Sequence, residues 1–223
     1  MVSAARFGGR YKLHPPPDRA LPDDRAIHGS KAGTRDDSSY LAADIAAVKA
    51  YFDVRGYDFA ADMLDFYLDN HASGEEYKIS LENYLKVVGA SVVKSKISEC
   101  LDDIAEQARK DPQIGVKREL TSDWKGIHSV DDQDVANALG TFAVAVGSDT
   151  TVLAPGLLDG LRAQISFKIY IWDYYNFDQL QAGYTKPAKT LNNEARLLEE
   201  LGLARSYIAR GESPYSQMWT QNL

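Results

Sequence analysis

The stretch Leu161–Asp178, LRAQISFKIYIWDYYNFD, decides the fold. Ile165, Phe167, Ile169 and Ile171 alternate with Ser166, Lys168, Tyr170 and Trp172. A period of two puts the first set on one face of a β-strand and the second on the other. The alternation therefore predicts a strand over Leu161–Trp172. Asp173 keeps the parity of the apolar set, so it emerges on the core side at the strand's end. Burial there raises a carboxyl's pKa, and a neighbouring cation lowers it. Two readings fit: a general acid/base or metal ligand, or an Asx-type turn. In the turn, Asp173, Asn176 and Asp178 bond nearby backbone amides and end the strand.

Upstream of this strand the period is helical. Leu41, Ile45, Val48 and Phe52 form a stripe, with Ser38 or Ser39 as the cap and Gly56 as the stop. Asp58 is the expected cap of a second helix, which carries Phe59, Ala60, Met63, Leu64, Tyr67 and Leu68 on one face. EEYKIS reads as a short strand. Helices follow over Leu81–Val88 and Ala90–Lys110, closed by Asp111-Pro112. Beyond Pro112, IGVKREL and FAVAV alternate like strands. A late helix runs over Thr190–Leu201 with Gly202 as C-cap, and ARSYIARG is the expected last strand. The class is α+β: a helical half, then an antiparallel sheet with one late helix. Residues 38–223 form a single domain, helical over 38–110 and mainly β over 113–223.

Residues 1–37 differ. They hold Gly8-Gly9, Pro15-Pro16-Pro17 and Pro22 with little apolar periodicity, and they carry seven Lys/Arg against five Asp/Glu. This is an irregular extension or linker, or equally a mildly basic arm lying on an acidic body.

Composition narrows the function. With 44% hydrophobic and 26% charged residues, 223 residues make an ordinary soluble globular chain. A net charge of −7 argues against a nucleic-acid partner, because phosphate affinity needs clustered Lys and Arg. No apolar run reaches membrane-spanning length, so no transmembrane segment is expected. The first residues lack the apolar core of a secretory signal, so the expected site of synthesis is the cytoplasm, with any export left to other machinery. Cys100 is the single cysteine and lies beside a helical stripe, which reads as a packing thiol. The four histidines share no ligand spacing, so no metal site is expected, and no cofactor is specified. Asp131–Asp134, DDQD, lacks the glycine and downstream acid of a calcium loop and reads as a solvated loop or a helix start. Trp124, in SDWKGIHS, reads as packing.

Three short motifs carry a family resemblance: Ala138-Leu-Gly-Thr-Phe142, Asp173-Tyr-Tyr-Asn-Phe-Asp178 and Gly202-Leu-Ala-Arg-Ser-Tyr207. Together, over about residues 55–215, they resemble the C-terminal effector domains of bacterial polymorphic toxins. Asp173, Tyr175 and Phe177 also resemble the Asp-x-Tyr-Asp-Phe-Asn stretch of colicin-M-type bacteriocins, which cleave a lipid-linked peptidoglycan precursor. Asn176 stands where that family has its second Asp, and Asp178 where it has Asn. QLQAGYTKPAK offers no counterpart of its His-Arg pair.

The resemblance implies an antibacterial effector delivered into target cells by a specialised secretion system and acting as a hydrolase on a lipid-linked phosphate. Its catalytic residues would be Asp173, Tyr175, Asn176 and Asp178. Trp172, Lys186, Lys189 and Arg205 would bind substrate, the cations holding phosphate. A cognate immunity protein and a delivery apparatus are the implied partners. The alternative is a non-enzymatic interaction module (cargo, adaptor or immunity-like protein) whose acidic body docks on a basic partner.

Overall fold

Four helices lead the chain in the computed structural model, which describes residues 13–32, 35–156, 160–177 and 186–223, with only the backbone of residues 35–40, 42 and 186–191. Helix α1 (Arg35–Arg55) begins ahead of Ser38 and Ser39, so neither serine caps it. It stops at Gly56, whose φ of +69° an L side chain adopts only with strain. Helix α2 (Asp58–Asp69) buries Phe59, Ala60, Met63, Leu64 and Tyr67. Its first turn is not capped by Asp58, the expected residue. The cap comes from Asp134, 75 positions away, whose carboxylate accepts from the backbone N–H groups of Phe59 (3.3 Å) and Ala60 (2.9 Å) and pairs with Lys86 at 3.0 Å. Strand β1 (Tyr77–Lys78) and helix α3 (Leu81–Gly89) follow, and the Ser80 side chain caps α3 by accepting from Asn83 N–H. Helix α4 (Ser91–Lys110) turns Val93, Ile97, Leu101 and Ile104 into the core. Cys100 is fully buried beside them, its Sγ 3.9 Å from the Val144 carbonyl, and burial pushes its thiol pKa up. It is a packing thiol.

The sheet follows: β2 (Lys117–Thr121), β3 (Lys125–Ile127), β4 (Phe142–Leu153), β5 (Arg162–Tyr175), β6 (Tyr207–Glu212) and β7 (Gln217–Asn222). Helix α5 (Gln133–Leu139) precedes β4, and α6 (Lys186–Glu200) joins β5 to β6. The order is β1-β6-β5-β4-β2, with β3 added to β4 and β7 to β5. Only the β1–β6 pairing is parallel among these strands. The class is the α+β that the sequence predicts.

Several details differ from the sequence reading. DDQD is a helix start, with Asp132 accepting from the N–H groups of Asp134 and Val135 to cap α5. ARSYIARG is not the last strand, because β7 follows it. Strand β7 is mostly polar and has no apolar alternation to announce it; the ladder to Arg162–Phe167 holds it in place. Helix α6 also begins four residues before Thr190.

Strand β5 is the axis of the sheet. Its first half pairs with β7, its second with β6, and its other edge with β4 from Ala143↔Trp172 to Leu153↔Arg162. Ile165, Phe167, Ile169 and Ile171 join the core beneath α4. On the opposite face Tyr170 and Trp172 are buried as well.

Much of that cover is the N-terminal segment. The Tyr170 hydroxyl donates to the Leu13 carbonyl, Trp124 Nε1 donates to the Pro17 carbonyl at 2.8 Å, and the Asp18 carboxylate accepts two bonds from Arg210 at 2.7 and 2.6 Å. Gly147 lies under His14, and a Cβ there would collide with the His14 carbonyl. Farther on, His28 Nδ1 donates to the Ala204 carbonyl (2.8 Å), and the Gly29 and Lys31 amides donate to Glu199 (3.0 Å) and Glu200 (2.7 Å) carbonyls. Residues 13–32 thus form a strap without regular secondary structure, laid across the sheet and onto the end of α6.

Candidate functional site

Strand β5 outlasts β4. The last β4 pairing is Ala143↔Trp172, while β5 continues to Tyr175 with β6 alone beside it. In front of β4 the chain turns at Gly140 (φ +55°), which links the end of α5 to Phe142. The space left where β4 runs out is a cavity of about 470 Å³. Its walls are Asn137–Thr141 from the α5–β4 turn, Trp172–Phe177 from the end of β5, Asn192 from α6, and Arg19, Ala20 and Pro22 from the strap. The Ala138–Phe142 motif is therefore a helix end and a turn that opens β4, and its first four residues form one wall.

Asp173 stands within β5, paired with Ala209 across the ladder, and is 3% exposed. It does not end the strand, so the Asx-turn reading fails for this residue. Its Oδ2 is buried without a hydrogen-bond partner among the described residues. Burial holds the carboxyl well above the usual carboxylate range, against opposing pulls from the Tyr174 backbone hydrogen bond and the positive charge of Arg19. Burial thus favours the protonated form of this carboxyl.

Tyr175 shares the core-side parity of Asp173. Its ring stacks on Tyr207 (centroids 5.0 Å, 16°) and meets Phe177 edge-on at 5.5 Å and Tyr67 at 5.9 Å. Burial raises its phenol pKa, and Asp173, once ionised, raises it further. The cluster is anchored beneath: the Tyr207 hydroxyl donates to the Met63 carbonyl at 2.6 Å, and Tyr67 donates to the Ala195 carbonyl at 2.9 Å. These bonds tie α2 and α6 to the floor of the site, so the rings are placed by packing and held by their polar ends.

The structure brings Trp172, Asp173, Tyr175 and Asn176 to one cavity. Asp178 lies outside the described residues. Lys186 and Lys189 fall on the first turn of α6, where only the backbone is described. Arg205 goes elsewhere: it lines a second cavity of about 510 Å³ with His28, Glu75, Glu76 and Glu199. There its guanidinium lies so close over Gly74 that a Cβ would come within 2.7 Å of it. Tyr174 borders both cavities.

The described cation at the Asp173 cavity is Arg19. Its guanidinium carbon sits 5.6 Å from the Trp172 ring centroid, in cation–π range. Residue periodicity around Asp173 could not reveal it, because 154 positions separate the two. The one available signal was the basic balance of the N-terminal arm against an acidic body. Trp124 packs as expected, 6.5 Å from Trp172, and also anchors the strap. Among the described residues, no three His, Cys, Asp or Glu side chains gather as metal ligands. No described helix is long and apolar enough to cross a membrane.

No protein-family model and no curated protein matches the chain. Among solved structures it is similar to PaeM, a colicin M-like bacteriocin produced by Pseudomonas aeruginosa. The likeness covers 74% of this chain and 51% of that one at 10% identity, with a TM-score of 0.43. The chain thus spans about half the length of PaeM. The match to a colicin-M-like bacteriocin fold is weak and partial.

Proposed function

We propose that this chain is an antibacterial effector domain, a hydrolase of a lipid-linked phosphate in the cell envelope, with Asp173 as its general acid. One observation supports this reading above the others. Asp173 is a buried carboxyl with an oxygen lacking any partner among the described residues, near the end of the central strand and on the wall of a cavity. Leaving a polar atom buried and unsatisfied costs about 1–3 kcal/mol, which a purely structural residue has no reason to incur. The motif that contains it, Asp173–Asp178, also carries the sequence resemblance to colicin-M-type bacteriocins.

In the proposed reaction a water attacks phosphorus, and the bond from phosphorus to the leaving oxygen breaks. Neutral Asp173 gives its proton to that oxygen, and a proton of the attacking water returns to solvent or to the carboxylate. Delivery by a secretion apparatus and neutralisation by an immunity partner belong to the same proposal.

The test is expression in a susceptible bacterium, once in the cytoplasm and once exported to the periplasm. Loss of viability is expected in the compartment that holds the substrate, and Asp173→Asn abolishes it. A wild-type chain harmless in both compartments, recovered with a stoichiometric protein partner, would instead mark an interaction module.

A further inference from the structure

Arg19 is exposed on a segment without regular structure, yet its position is well determined. Asp18, its neighbour, is clamped by two hydrogen bonds from Arg210, and Pro17 is held by Trp124. Between these anchors and Ala20, which lines the cavity, the Arg19 guanidinium lies over the Trp172 ring. Among the described residues no carboxylate forms an ion pair with it. A guanidinium parked on an aromatic face keeps its fork of N–H donors open to a planar or tetrahedral oxyanion.

The surroundings favour an anion. Trp172 Nε1 is buried without a partner among the described residues, and it can only donate. Asp173 is the one carboxyl lining the cavity among the described residues, and burial raises its pKa, which disfavours a repelling charge there. Arg19 is thus the described cation at a cavity whose one described carboxyl is disfavoured as an anion by burial.

We propose that Arg19, positioned by Trp172 and the strap, binds a phosphate oxyanion in the Asp173 cavity. This deepens the functional reading, since it takes the same cavity as a binding site, but it depends on neither hydrolysis nor toxicity.

The probe is inorganic pyrophosphate, titrated calorimetrically into the full chain at neutral pH. Saturable binding is expected for the wild type. Arg19→Ala weakens it about tenfold or more, the scale of one lost charge-assisted contact. Arg19→Lys, which keeps the charge, binds more tightly than Arg19→Ala. Limited proteolysis of Arg19→Ala should leave residues 13–32 as resistant as in the wild type, which separates lost binding from a lost strap; if the strap is released, the comparison of Arg19→Lys with wild type decides. Absence of saturable binding to the wild type overturns the proposal, as does an Arg19→Ala variant that binds equally well. A chain that kills no cell but binds pyrophosphate through Arg19 would refute the toxin and leave this site standing.

Discussion

A carboxyl as deeply buried as Asp173 ionises against the loss of its hydration, and this couples its proton to the stability of the fold. Below the ordinary carboxylate range both folded and unfolded chains hold the proton, so the residue contributes no pH dependence there. As pH rises past that range the unfolded chain releases its proton while the folded chain keeps it. The unfolded state gains, and stability falls until the raised folded pKa is passed. Burial sets this raised value, and the Tyr174 amide and the Arg19 charge oppose it. Asp173→Asn removes the linkage. Urea denaturation should therefore find the variant more stable than the wild type at pH 7, with the advantage vanishing near pH 4. A general acid must also hold its proton to work. Activity is expected to decline as pH rises through the raised folded pKa, and Asp173→Asn should lose about 10²–10⁴-fold in rate at its optimum. An undiminished rate in the variant would remove Asp173 from the chemistry.

Single elements of this fold are completed by residues far away in sequence. Helix α2 begins with two amides that need an acceptor, and Asp134 of α5 supplies it while pairing with Lys86 of α3. The 6% exposed Asp134 therefore joins three helices through one carboxylate. Asp134→Ala should destabilise the protein by about 2–4 kcal/mol, combining a lost helix cap with the loss of a buried charge's partner. Lys86→Ala should cost less, about 1 kcal/mol, because the lysine is partly solvated and the two amides still hold the carboxylate. Both values follow from urea midpoints. Equal losses for the two variants would show that the ion pair, and not the cap, is the main contribution. At the level of strands, the unequal ends of β4 and β5 create the cavity. One more residue of β4 ladder would fill the space beside Asp173.

Across the whole molecule the strap links regions that the sheet alone would leave apart. It reaches β4 and β5 at Gly147 and Tyr170, β6 at Arg210, and α6 at Glu199 and Glu200. Arg210 is the common bolt, since it also makes two bonds to Glu76 at 2.8 and 3.0 Å. Gly147→Val places atoms where the His14 carbonyl sits, so the strap must lift while the core stays packed. Cleavage within residues 13–32 should then accelerate by about tenfold or more under limited proteolysis, a local opening rather than global unfolding. Near-unchanged far-ultraviolet circular dichroism would accompany it. A strap that stays protected in Gly147→Val would show that its other anchors suffice.

The alternation of Ile165 to Trp172 determined the central strand and the face on which Asp173 lies, because side-chain parity is a local property of an extended chain. The helical stripes from Leu41 to Ala108 likewise marked α1 to α4, and the order of the two patterns gave the α+β class. Tertiary structure decided the rest. Strand β7 is polar and forms because β5 offers it a ladder, and α2 is capped by a carboxylate from α5. Which cations reach Asp173 was also beyond the local pattern: Arg205 was drawn into another cavity, and Arg19 arrived on a strap from the chain's beginning. Caps, edge strands and site charges depend on which segments pack together, and that is set by the burial of the whole core rather than by any neighbour in sequence.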